Sequence, residues 1–137
     1  MDYQVAWLVE RRVLHLQILG EFELEGTQKG IAEVKTFVDS GIAPVHVIID
    51  PTGITKMPSH LRDIISQMDS MRHHPNGGWI ITISNSIMLR FAGQIVSVFL
   101  GANHRSVATF TEAVETISRI DPGVADSLKQ IPVQSST

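Results

Sequence analysis

The run Val45-His46-Val47-Ile48-Ile49 is the feature that most constrains the fold. Four of its five residues are β-branched, and apolar side chains fall on both parities, ending at Asp50. Such a near-continuous run marks a strand covered on both faces. The stretches on either side have helical spacing. From position 27, Ile31, Val34, Phe37 and Val38 make one apolar stripe, and Asp39-Ser40-Gly41 places a glycine where a helix ends. Gly26 and Gly30 weaken its first turn. After the strand, Ser59 is set to cap a second helix with the stripe Leu61, Ile64, Ile65, Met68 and Met71.

Elsewhere the period is two. Val5, Trp7 and Val9 share one strand face. After Glu10-Arg11-Arg12, the residues Leu14, Leu16 and Ile18 do the same, with His15 and Gln17 opposite. This reads as a β-hairpin closed by Gly20. Residues 79–84 form another buried strand, and Asn85 or Ser86 caps a third helix over 87–100 with Gly101 as its stop. A last strand is expected over 105–110, then a fourth helix capped by Thr111, and a further turn from Pro122 through Leu128. The order is β-β-α-β-α-β-α-β-α, an α/β fold with a mixed sheet that opens on an N-terminal hairpin. The pattern leaves strand order open, and equally whether helices cover one face or both. A single domain is expected over 1–128, with 129–137 a loose tail.

Composition narrows the function. Of 137 residues, 43% are hydrophobic and 18% charged, which suits one domain with its own core. The net charge of −3 argues against nucleic acid as a partner. Without cysteine the chain has no disulfide, thiol nucleophile or thiolate metal site. Met1-Asp2-Tyr3 is not a basic stretch leading into an apolar run, so the expectation is a cytoplasmic protein.

Signals for catalysis are lacking. Gly77-Gly78 precedes a strand, whereas a phosphate cradle opens onto a helix, and no G-x-S-x-G elbow occurs. No two of the six histidines sit at i, i+4 on one helix, so no metal or other cofactor is expected. The adjacent pair His73-His74 reads as a solvated helix end.

Two features could carry a function. Asp50, Thr52, Gly53, Thr55, Ser59, His60 and Arg62 gather polar groups where the central strand ends, the side of a parallel sheet that usually binds. The plainer account is that Asp50 and Thr52 bond the turn, Gly53 frees the backbone and Ser59 only caps. The third helix is the other. Arg90, Gln94 and Ser97, with Ser86, Gly93 and Gly101, fall within an arc of roughly 100°, and everything else on it is apolar. That face would lie under the last helix and hairpin, form a subunit interface, or line an apolar pocket through Phe91, Ile95, Val98 and Phe99. A membrane span needs about 20 apolar residues, and this run is shorter and broken by Arg90 and Gln94.

The element order, with Ile48-Ile49-Asp50-Pro51-Thr52-Gly53-Ile54-Thr55-Lys56-Met57-Pro58-Ser59-His60-Leu61, resembles the STAS fold over residues 3–120. It is similar to the anti-sigma-factor antagonists, in the SpoIIAA-like branch grouped with SEC14-type lipid-binding domains. Asp50, Thr52, Gly53, Ile54 and Thr55 match that family's strand-loop pattern. Where the family carries Asp-Ser-Ser-Gly, this chain reads Pro58-Ser59-His60-Leu61. Ser59 falls on the first serine and His60 on the phosphorylated position. A phosphate on Ser59 would sit favourably at a helix N-terminus. The resemblance implies a non-enzymatic regulatory or protein-interaction domain working through residues 50–62, its partner a regulatory protein or itself as a homodimer. The alternative it implies is a carrier or sensor of an apolar small molecule or lipid. A third reading is an enzyme using His60 with Asp50.

Overall fold

The computed structural model describes residues 2–21, 24–56, 61–84 and 86–131. Five strands, β1 (Asp2–Val9), β2 (Val13–Glu21), β3 (Val45–Lys56), β4 (Gly77–Ile83) and β5 (His104–Val107), form one sheet in the order β1-β2-β3-β4-β5. The β1–β2 hairpin is antiparallel and every later pairing is parallel. The helices are α1 (Leu24–Asp39), α2 (Leu61–Ser66), α3 (Ile87–Leu100), α4 (Phe110–Ile120) and α5 (Pro122–Lys129), with a single 3-10 turn at Asp69–Met71.

The two-sided cover follows from topology. From β2 onward each crossover steps to the next strand in one direction, and right-handed crossovers then put α1, α2 and α3 on the same face. There Leu14 and Val45 pack with Val34, Phe37 and Val38 of α1. The chain continues past β5 into α4 and α5, which cover the opposite face. Val13, Ile48, Ile81 and Val107 meet Ala113, Ile117, Val124 and Leu128 there. Ile131 packs against this second cluster, while 132–137 lie outside the described residues.

Several boundaries differ from those read in the sequence. The central strand does not end at Asp50 but continues to Lys56, because β2 runs on beside it as far as Glu21. Pro51 lacks an N–H for the ladder, and the register shift between Gln17 and Leu19 makes room for it. β4 stops pairing at Ile49, so beyond that point β3 has a ladder on one side only. The expected long second helix is split, its last turn tightening to i→i+3 bonds from Gln67 to Ile64 and Met68 to Ile65.

The cap of α4 is Thr109, not Thr111, and β5 stops before it. The Thr109 hydroxyl accepts the Glu112 N–H at 3.1 Å, and the Glu112 carboxylate reaches back to the Ala108 N–H at 2.9 Å. α3 agrees with its sequence reading: Ser86 accepts the Leu89 N–H, and Gly101 ends the helix at φ 72°.

Candidate functional site

Residues 50–56 are the outer end of the central strand. One Asp50 carboxylate oxygen accepts both the backbone N–H of Thr52, at 3.0 Å, and its hydroxyl. Thr52 and Thr55 are exposed. Gly53 lies in close approach to β2: a Cβ there would stand 2.3 Å from Cδ2 of Leu19 and 3.1 Å from the Ile18 carbonyl oxygen. Arg62 is exposed at the start of α2, whereas Ser59 and His60 lie outside the described residues. The structure therefore brings Asp50 and Thr52 into direct contact, and presents Thr55 and Arg62 to solvent on either side of 57–60.

His15 adds a group that sequence alternation alone did not single out. It pairs with Ile48 and packs its ring 5.1 Å from that of Phe110. Burial pushes its pKa down, and the charge of Asp50 offsets part of that. Its Nε2 is buried with no hydrogen-bond partner among the described residues.

Three other histidines, His46, His74 and His104, are committed to structure. His46, 2% exposed, accepts the Trp79 N–H at Nδ1, so Nε2 carries the proton and donates to Asp121 Oδ2 at 2.9 Å. Arg12 bonds the same oxygen. His74 likewise accepts the Asn76 N–H at Nδ1 and bonds Asp39 through Nε2 at 2.6 Å. His104 lies between Thr82, 3.0 Å from Nε2, and the Gln94 side-chain oxygen, 3.1 Å from Nδ1; burial lowers its pKa. With both ring nitrogens engaged, none of the three is placed to act as a general base. Among the described residues no group of three His, Asp or Glu side chains could hold a metal ion.

α3 does not lie under the last helix and hairpin, which belong to the other face and the far edge of the sheet. Its outer surface is bare: Ile87 is 83% exposed, Met88 65%, Phe91 65% and Val98 69%. Ile95 and Phe99 are half-buried, and the Phe99 ring carries the Arg72 guanidinium at 4.9 Å. The polar arc is turned partly inward. Ser97 is fully buried, and a Cβ on Gly93 would stand 2.9 Å from Thr82 Oγ1 and 3.0 Å from His104 Nε2. The sequence reading missed this because an inward-facing serine and glycine look like a solvent face when only polarity is counted.

Two adjacent apolar cavities, about 140 Å³ each, lie between the sheet and α1, α2 and α3. Leu16, Ile18, Ile49, Met68, Ile80 and Val96 line both. From α3 the lining is Leu89, Ala92, Gly93, Val96 and Leu100, not the expected Phe91, Ile95, Val98 and Phe99. A larger hollow of about 550 Å³ opens at the amino ends of β3 and β4, far from residues 50–56. Its polar walls include His46, His74 and Asp121, which already bond within the protein.

This arrangement recurs in solved structures. An uncharacterized protein of the DUF3478 family from Shewanella loihica, described as having a SpoIIAA-like fold, superposes with a TM-score of 0.62 at 10% identity, covering 84% of this chain and 91% of its own. The anti-sigma factor antagonist SpoIIAA in its unphosphorylated form superposes with a TM-score of 0.56 at 17% identity, covering 88% and 97%. No family model and no curated protein matches the sequence. The fold is SpoIIAA-like, of the STAS type. No helix among the described residues is long and apolar enough to cross a membrane.

Proposed function

We propose that the chain is a non-enzymatic regulatory domain that binds another protein through residues 50–62, with the bare face of α3 as a second contact surface. One observation carries this reading. The exposed side chains of Thr52, Thr55 and Arg62 stand at the end of the sheet where the apolar stripe of α3 begins, since Pro51 and Ile54 line the same cavity as Leu89 and Ala92. A patch of large apolar side chains beside polar groups is the composition of a protein interface. SpoIIAA, which shares the fold, is by its own description an antagonist of an anti-sigma factor, hence a regulatory protein. Ser59, as a phosphorylation site, would add charge in the middle of this surface.

The test compares complexes formed by the wild type, S59D, H60A and R62E in extracts of the source cells. The expected result is one protein recovered with the wild type and weakened in the variants, each of which keeps a wild-type circular dichroism spectrum. Equal recovery with all four overturns the reading.

A carrier of an apolar small molecule is the second reading, and the paired cavities favour it. Their size limits it. Drug-sized ligands occupy roughly 300–1,000 Å³, while an engineered cavity of about 150 Å³ holds benzene. Each cavity here is of the latter size, so a small ring fits and a lipid does not unless α2 or α3 shifts.

A further inference from the structure

Ile87, Phe91, Gln94 and Val98 follow one another in steps of four, three and four residues, the spacing of a heptad seam. On a straight helix they lie within an arc of roughly 60°, with Met88 and Ile95 on one flank and Arg90 on the other. Three of the four are large apolar groups left in water, and the fourth, Gln94, has its side-chain oxygen engaged by the His104 ring N–H. We infer that this seam packs antiparallel against the α3 of a second copy, about a two-fold axis passing beside the helix between Phe91 and Gln94. That axis sets Ile87 against Val98 of the second copy and Phe91 against Gln94, so that the whole stripe is covered.

Charge and area both favour a like helix as the occupant. Arg90 is the single charged residue of α3, and because the two-fold brings like flanks together it lies at the open edge of the contact, so no charge is buried in the seam. A helix seated on an anionic membrane is normally flanked by several basic residues, and α3 offers Arg90 alone. The exposed parts of Ile87, Met88, Phe91 and Val98 come to on the order of 500 Å² per copy, scaled from side-chain areas near 200 Å². A standard interface takes about 800 Å² from each partner, so the stripe supplies the greater part and its flanks the remainder. Placing the helices antiparallel also sets the positive end of each dipole beside the negative end of the other.

The inference rests on reading the α3 face as a contact surface, but not on residues 50–62, whose partner is tested separately above. Sedimentation equilibrium of the full chain, over a range reaching about 100 µM, measures it. The wild type is expected to be a dimer. F91E and V98E each raise the dimer dissociation constant about 30-fold or more, as for a central aromatic or apolar anchor. I42E, at an exposed apolar residue off this helix, leaves it unchanged. In the double variant I87K/V98E opposite charges meet across the axis and the dimer returns, which a parallel or off-register contact does not allow. All four changed positions are exposed, so circular dichroism should stay that of the wild type. A wild type that stays monomeric across the range overturns the inference, as does a dimer indifferent to F91E. So does a monomer that co-sediments with phosphatidylcholine–phosphatidylglycerol vesicles through Phe91. None of these outcomes alters the S59D, H60A and R62E comparison.

Discussion

Asp121 joins three elements, and removing its carboxylate is the substitution whose cost the structure specifies best. It accepts from His46 Nε2 on β3 and from Arg12 at the β1–β2 turn, and it caps α5 by accepting the Gly123 N–H at 3.1 Å. In D121A the His46 ring stays 2% exposed with a donor that has no acceptor, at a cost of about 1–3 kcal/mol. The lost cap costs about 1 kcal/mol. The Arg12 pair, partly open to water, adds less than about 1 kcal/mol. The total is about 3–4 kcal/mol, a large share of a domain stability of roughly 5–15 kcal/mol. With an m near 2 kcal/mol/M, the urea midpoint falls by about 1.5 M or more. D121N keeps one acceptor oxygen, which serves either His46 at the Oδ2 position or Gly123 at the Oδ1 position but not both, so it loses about 1–2 kcal/mol. Urea unfolding followed by tryptophan fluorescence measures both. A loss below about 1 kcal/mol for D121A, or equal losses for the two variants, would refute the reasoning.

Acid should destabilise the fold in two stages. Burial holds the imidazoles of His104 and His15 below 6.5, so the stability tied to their neutral forms is complete above that pH and declines as pH falls through their lower folded values. Urea midpoints at pH 7 and pH 5 should differ, and H104N should narrow the gap; no narrowing contradicts the assignment. Burial alone would raise the Asp121 pKa, but the hydrogen bond from His46 and the charge of Arg12 outweigh it and hold the carboxyl below its ordinary 3.8. Its contribution is present above that value and lost as pH drops through the lower folded one, so D121N should flatten this most acid part of the profile. T109A should cost about 1 kcal/mol by uncapping α4, and T111A close to nothing; the reverse order in thermal unfolding would return the cap to Thr111. G101A should cost about 1–2 kcal/mol, since φ is 72° and a Cβ would stand 2.3 Å from the His73 ring; an unchanged melting temperature would contradict that packing.

Much of the architecture could be read in the residues because its signals are local. The β-branched run at 45–49 announces a strand covered on both faces, and the stripe Ala113, Val114, Ile117 and Ile120 announces α4. What could not be read depends on partners distant in sequence. β3 continues through Pro51 and Gly53 because β2 continues beside it, and no local signal at 50–56 carries that information. The cap at Thr109 was masked by an equally plausible threonine two residues on. On α3 the excess of apolar surface was legible, but not its direction. Gly93 and Ser97 turn inward because Thr82 and His104 wait beneath them, which leaves Ile87, Phe91 and Val98 outside. At the candidate site the Asp50–Thr52 contact matches the local turn bonding expected of that pair, while the unpartnered His15 nitrogen emerged only from the packing of α4.

We propose that this fold works by binding protein at its surface, not by carrying a molecule inside. Native mass spectrometry of the protein gently isolated from its source cells tests it most directly. The expected result is a dimer, alone or with a second protein bound, whose mass equals the sum of its chains. A subunit carrying a few hundred daltons of releasable apolar compound would contradict it and make the space between the sheet and α1, α2 and α3 the working site.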